Sequence, residues 1–236
     1  SVFVFLCVFW RHVLCCCVFV CSVGIFCAFV FLFFFYSRRR HTEFLACLLA
    51  SKFCLETDVD TVINLTNHAY FNLSGTDGWQ DGTVNILDHA LRVRAGAYLP
   101  IDTQTLPTGK VESVVGTPFE FRTTKILGPL MKATHEQLRL GQGLDHCLVL
   151  DKMSEPTTET PAATLYSEQS GIRLDVVTTE PGLQLYTGNH LSVPHAGICL
   201  ETQHFPDSPN VSHFPSTRLV SGDVFDSTTI YQLSCD

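Results

Sequence analysis

Between Ile63 and Gly75 the chain crowds groups that could do chemistry among groups that could anchor them. Asn64, Thr66, Asn67, His68, Tyr70 and Asn72 are interleaved with Leu65, Phe71 and Leu73. An imidazole titrates near ~6.5, so a histidine held at a fixed angle can give and take a proton at neutral pH. Alone, His68 reads as a structural histidine in a strand that runs into an Asn-rich turn. A strand, however, hides one face and displays the other from rigid backbone, and Leu65, Phe71 and Leu73 are spaced to anchor a core beneath a displayed His68 and Tyr70. Three later polar residues have equally ordinary readings by themselves. Asp145, following Gly143, suits an Asx turn; Gln184 suits a solvent-facing strand position; Glu201, between Leu200 and Thr202, suits an outward strand position. Asp207, in Pro-Asp-Ser-Pro, reads as a turn.

The elements that must position these residues are mostly strands. Lys52 to Asn64 reads as a strand with Phe53, Leu55 and Val62 inward, and the Ile63 stretch continues it. Asp77-Gly78 and Asp81-Gly82 are tight-turn signals. Val84 to Ala97 alternates again, and Val111 to Val115 and Pro118 to Phe121 are two more short strands. Thr123 to Leu140 is the plausible helical region, interrupted at Gly128-Pro129. Short β-rich runs follow at 147–150, 163–167, 172–178, 183–186, 198–201, 218–220 and 228–233. Regularly spaced short strands with little helix predict an antiparallel sandwich or barrel.

At 236 residues the chain has enough length for one sizeable β domain with an ample core. A formal charge of -8 and a pI of 5.6 argue against a nucleic-acid partner, whose phosphates require a basic face. Composition divides the chain in two. Residues 1–36 are nearly free of charge and hold six of the eleven Cys and ten of the eighteen Phe. The run Val13 to Tyr36 is long enough to cross a bilayer as a helix, and Arg38-Arg39-Arg40 after it would leave the remainder in the cytosol. A cleavable signal peptide fits poorly, because the apolar run is too long and its basic end is on the wrong side. Phe, Cys, Val and Leu also share T-rich codons, so a gene-model artefact competes with the membrane anchor and is slightly favoured. The expected division is therefore an apolar segment, 1–51, and a β domain, 52–236. Cys47, Cys54, Cys147, Cys199 and Cys235 are scattered, without the spacing of a disulfide framework or a zinc site, and suit the reduced thiols of a cytoplasmic protein. Sequons at Asn64 and Asn72 flank His68, where glycans would obstruct a site, which argues against a secreted form.

Asn64-Leu-Thr-Asn-His68-Ala-Tyr70-Phe-Asn-Leu-Ser-Gly75 resembles the signature of the aldose 1-epimerases (galactose mutarotases), in which this histidine is the catalytic acid. Further stretches resemble the same family in order. They are Ala97-Tyr-Leu-Pro-Ile-Asp with Leu106-Pro-Thr-Gly, Gly116-Thr-Pro-Phe-Glu-Phe-Arg122, Gly143-Leu-Asp145-His146-Cys147, Pro181-Gly-Leu-Gln184-Leu-Tyr-Thr-Gly-Asn189, and Cys199-Leu-Glu201-Thr-Gln203-His-Phe-Pro206-Asp207-Ser-Pro-Asn210. The resemblance implies an all-β, antiparallel sandwich of the galactose mutarotase-like supersandwich type, N-terminally incomplete. It implies interconversion of the α and β anomers of hexoses such as galactose and glucose, in hexose metabolism. Glu201 would take the proton from O1 while His68 protonates the ring oxygen; the ring opens, rotates about C1–C2 and recloses with the roles exchanged. Asp145, Gln184 and Tyr70 would hold the sugar. No metal or organic cofactor is required.

The sequence also departs from the family. It has no Asn-Arg dipeptide and no His-Gly pair, which in the family carry a sugar-binding Arg and a second active-site His upstream of the signature. The Phe/Cys-rich run stands in their place, and the connection from Asn189 to Gly197 is short. Missing strands are expected to leave open sheet edges and a weakened site. Three alternatives follow: a non-catalytic carbohydrate-binding protein of the same fold, a glycoside hydrolase using Asp145 and Glu201, and a membrane-anchored interaction protein.

Overall fold

The computed structural model describes strand backbone at residues 8–10, 13–22, 25–34 and 47–54, and side chains as well at residues 55–75, 83, 85–151 and 160–235. In chain order the first strands are β1 (Val8–Trp10), β2 (Val13–Ser22), β3 (Ile25–Phe34), β4 (Cys47–Thr57), β5 (Thr61–Val62) and β6 (Tyr70–Phe71). The middle section has β7 (Ala90–Val93), β8 (Ala95–Tyr98), β9 (Glu112–Ser113), β10 (Lys125–Ile126) and two short helices, α1 (Leu127–Met131) and α2 (Glu136–Leu140). Then come β11 (Asp145–Leu150), β12 (Ala163–Tyr166), β13 (Ile172–Thr178), β14 (Gly182–Tyr186), β15 (Ile198–Gln203), β16 (Arg218–Leu219) and β17 (Val224–Cys235).

Two antiparallel sheets carry the fold. One runs β1-β2-β3-β4-β17-β13-β12-β7-β10, the other β6-β15-β14-β11-β8-β9; β16 and β5 pair separately. The core lies between them, and register explains it. Leu165 stands opposite both Leu91 and Leu174 in the first sheet, while Leu148 stands opposite Leu183, and Leu185 opposite Leu200, in the second. Directly opposed residues share a face, so these leucine side chains form two apolar layers that are essentially solvent-free. Each such side chain contributes about 1.5–3 kcal/mol on burial. The packed layer fixes the second sheet from below and leaves its other face to carry function.

Several expectations are corrected. Ile63 to Ala69 is not a strand; pairing begins only at β6. The backbone there is extended enough to alternate half-buried and exposed side chains, but it is fastened by the Asn64 side chain and not by a ladder. Leu73 is buried, Phe71 packs on the core, and Leu65 is half-buried. Val62, read as inward, is 56% exposed. Pro118 to Phe121 is a turn that drops Phe119 and Phe121 into the core, fully buried. Pro129 lies inside α1, in its first turn, where a missing N–H breaks no helical hydrogen bond. The helical region is interrupted instead between Lys132 and His135. The turns at Asp77-Gly78 and Asp81-Gly82 lie outside the described residues.

The apolar N-terminal run is not a helix where it is described. β2 and β3 pair with each other, and β3 pairs with β4 from Ile25↔Thr57 to Phe34↔Leu48. Val- and Phe-rich sequence suits a pleated surface, and it covers the β4 edge that was expected to be open. β4 itself runs across the expected division at residue 51. No helix among the described residues is long and apolar enough to cross a membrane.

Candidate active site

The outer face of the second sheet collects the polar residues by register alone. Tyr186 stands opposite both Asp145 and Cys199, Gln184 opposite Glu201, and Cys199 opposite Tyr70. The side chains of Tyr70, Asp145, Gln184, Tyr186, Cys199 and Glu201 therefore project from one face of four adjacent strands. The remaining predicted residue, His68, comes from the segment just before β6 and folds over this face. Its Nε2 lies 3.7 Å from Glu201 Oε1, with the His68 side chain 56% exposed and the Glu201 side chain 8% exposed. The five residues expected from the sequence, His68, Tyr70, Asp145, Gln184 and Glu201, thus meet at one place although they are far apart in the chain.

The Asp145–Gln184 pair and the His68 segment are each held in place. Gln184 Nε2 donates to Asp145 Oδ1 at 2.8 Å. His146, buried on the opposite face, accepts from the Asp145 N–H through Nδ1 at 3.1 Å, and its Nε2 lies 3.1 Å from Gln137 Oε1. Burial pushes the His146 imidazole down to about 3, so it stays neutral and keeps that acceptor nitrogen. The turn before Asp145 depends on Gly143 at φ +139°; a Cβ there would stand 2.3 Å from Asn189 Oδ1. The Asn189 amide in turn donates to the carbonyls of Gly141 and Leu144, at 2.8 and 3.0 Å. On the histidine side, the Asn64 amide donates to the His204 carbonyl and accepts from the His204 N–H, each at 3.0 Å. This ties the His68 segment to the end of the Glu201 strand. Beyond β6, Asn72 Nδ2 donates to the Ala196 carbonyl at 2.9 Å, and Leu73 N–H donates to Nε2 of the buried His89.

The electrostatics follow from burial. Glu201 is raised above the ordinary carboxylate range, first by burial and further by the negative Asp145, with His68 acting in the opposite direction. Asp145 is also raised by burial, while the Gln184 hydrogen bond, His190 and His68 lower it. A raised carboxylate is a stronger base for the same geometry. Tyr70 and Tyr186 line the rim, with ring centroids 6.1 Å apart and each within 6.1 Å of the His68 ring. Tyr70 is 45% exposed, and its side chain is hydrogen-bonded with that of Cys199.

Two members of this face were not singled out from sequence. Tyr186 lies two residues after Gln184 and Cys199 two before Glu201, so the period of two along a strand would have placed both beside the residues already named. Cys199 Sγ is 3.3 Å from His68 Nδ1.

A family model described as aldose 1-epimerase matches residues 47–232. Galactose mutarotase from Bos taurus is 39% identical over 185 residues, covering 74% of this chain and 50% of that protein. Aldose 1-epimerase from Escherichia coli K12 is 35% identical over 182 residues, covering 72% of this chain and 50% of that protein. Among solved structures, galactose 1-epimerase from Lactobacillus acidophilus superposes with a TM-score of 0.74 at 26% identity, over 100% of this chain and 67% of that one. The chain spans about half the length of the curated relatives it matches. A match that takes in both the His68 segment and β15, over most of the sequence, leaves one assignment: this chain belongs to the aldose 1-epimerase family.

Proposed function

We propose that the site interconverts the α and β anomers of a hexopyranose such as galactose or glucose by acid/base opening and closing of the ring. The observation that carries this reading is the approach of His68 Nε2, on an exposed side chain, to within 3.7 Å of Oε1 of the buried Glu201. The two reacting oxygens of an anomeric centre sit on one carbon, so the acid and the base must converge on nearly the same point. Glu201 takes the proton from the C1 hydroxyl as the C1–ring-oxygen bond breaks, and His68 delivers a proton to the ring oxygen. After rotation about C1–C2, His68 withdraws that proton while Glu201 returns one to the new C1 hydroxyl. Asp145, fixed by Gln184, accepts from sugar hydroxyls, Gln184 offers its remaining polar atoms, and Tyr70 supplies an apolar platform. Asp145 is engaged with Gln184 and the group facing Glu201 is an imidazole, which favours this chemistry over a two-carboxylate hydrolase. The unit that performs it is the two-sheet β domain to which all of β4 belongs, and the free thiols of Cys147 and Cys199 suit the reducing cytosol.

The test is mutarotation of α-galactose and α-glucose followed by polarimetry, comparing the parent chain with Glu201→Gln. A positioned general base contributes roughly 10²–10⁴-fold, and the variant is expected to lose that factor from kcat. Equal rates in the two proteins would remove Glu201 from the mechanism, and galactose binding without turnover in either would favour a carbohydrate-binding role.

A further inference from the structure

We infer that His68, Cys199 and Glu201 form a binding site for a thiophilic divalent cation such as Zn2+, and that its occupation blocks the sugar chemistry. Among the described residues this is the one cluster of three His, Cys, Asp or Glu side chains whose donor atoms all lie within 4.8 Å of one another. The block of sugar chemistry rests on the acid/base reading of His68 and Glu201; the cation site itself does not.

A tetrahedral zinc ion, about 2.3 Å from sulfur and about 2.0–2.1 Å from nitrogen or oxygen, holds its donor atoms roughly 3.3–3.6 Å apart. Cys199 Sγ and His68 Nδ1 are 3.3 Å apart, and His68 Nε2 and Glu201 Oε1 are 3.7 Å apart. These two distances end on different nitrogens of one ring, and an ion takes only one of them, so closure on the ion requires the His68 ring to turn; one donor atom from each of the three residues already lies within 4.8 Å of the others. Cys199 and Glu201 are fixed by their strand, while the exposed His68 ring is free to turn one nitrogen onto the ion. Three protein donors leave a fourth position open toward the cleft, as in sites that keep a water or an exchangeable ligand. Binding forms a metal–sulfur bond and releases the thiol proton to solvent; it also occupies the lone pairs that His68 and Glu201 need for proton transfer. The thiolate selects Zn2+ or Co2+ over Mg2+ and Ca2+, which prefer all-oxygen shells.

Residues 1–54 hold eight of the eleven Cys, so the experiment is a difference between the parent chain and Cys199→Ser. Co2+ is the spectroscopic probe and Zn2+ the inhibitor, with Mg2+ as control. The parent chain is expected to bind one more equivalent of Co2+ than Cys199→Ser, with a larger sulfur-to-cobalt charge-transfer band. Galactose is expected to weaken that increment. Loss of an outer partner of a metal ligand weakens binding about 10–100-fold, so loss of a direct ligand is expected to raise the half-inhibitory Zn2+ concentration by at least ~100-fold. Each rate is normalised to that variant's own metal-free rate. Glu201→Gln supplies a second variant, expected to keep the band and bind more weakly. Identical cobalt spectra and stoichiometry for the parent chain and Cys199→Ser would overturn the site. Cys199-dependent binding that leaves turnover untouched would overturn the acid/base assignment while the site stands.

Discussion

Asn64 is expected to control the rate of turnover without touching the sugar. It makes two hydrogen bonds to the backbone of His204, three residues beyond Glu201, from a position four residues before His68. The intervening segment has no ladder of its own; besides the contacts of His68 with Cys199 and Glu201, it is fastened by the Ile63 N–H to the Thr217 carbonyl and by the pairing of β6. Asn64→Ala removes both bonds. Each contributes about 0.5–1.5 kcal/mol, and because Asn64 is exposed the lower half of that range applies, about 1–2 kcal/mol in total. At 1.36 kcal/mol per tenfold, full expression of this loss in the transition state corresponds to a ~5–30-fold fall in kcat. KM is expected to change little, since the Asp145–Gln184 pair lies on other strands. Asn64→Asp keeps the acceptor for the His204 N–H but not the donor, and should fall between the two. Polarimetry gives kcat and KM, and thermal unfolding of the same samples gives stability. If Asn64→Ala melts earlier but turns over at the parental rate, the bonds hold the fold and not the histidine. A further loss when the change is made on top of His68→Asn would also refute the argument, because Asn64 is held to act through His68.

Other consequences are equally direct. Glu201 binds its proton above its ordinary value of 4.5 in the folded chain; its contribution to stability is therefore full below 4.5 and is lost as pH rises through the raised folded value. Glu201→Gln should thus be more stable than the parent at neutral pH, the gain vanishing below 4.5, as read by denaturant unfolding at the two pH values. Gln184→Ala removes the hydrogen bond that lowers Asp145, so KM should rise ~5–30-fold for a loss of about 1–2 kcal/mol, with the defect worst on the acid side of the pH profile. Gly143→Ala forces Asn189 away from three hydrogen bonds and imposes a side chain at φ +139°. At about 1 kcal/mol per bond and about 1–3 kcal/mol of strain, it should lower stability by roughly 4–6 kcal/mol, measured by calorimetry. Adding Asn189→Ala should give no recovery of the lost bonds but should relieve the clash.

What could be read from the sequence was whatever a single strand decides for itself. The run 172–178 has the bounds of β13, and the alternation of Leu183 and Leu185 with Gln184 and Tyr186 states which face each will occupy. What could not be read depends on partners distant in the chain. The stretch around His68 alternates like a strand, yet its backbone is satisfied partly by an Asn64 side chain reaching His204, 140 residues away. Phe119 and Phe121 look like a strand because they are apolar two apart, but a turn buries them equally well. Cys199 looked incidental because its neighbours His68 and Glu201 come together only through the pairing of β6 with β15 and the approach of the preceding segment. Local pattern selects faces; which faces meet is set by topology.

The different settings of the two proposed proton carriers have a physical reason. A carboxylate becomes a stronger base when it is withdrawn from water, and that requires a rigid, well-packed support, because a mobile side chain would reach out to solvent and recover its ordinary acidity. Glu201 has such a support in the middle of β15, flanked by paired strands on both sides. His68 is supported differently, on a segment without a ladder, with its side chain 56% exposed. Placing His68 on an unpaired segment leaves it room to follow the ring oxygen as the pyranose opens, and exposure lets it exchange its proton with water between turnovers. Asn64 then sets how far that freedom extends. Tighter pairing of residues 63–69 to β15 would remove that freedom and hold the imidazole at one point while the ring oxygen moves away from it.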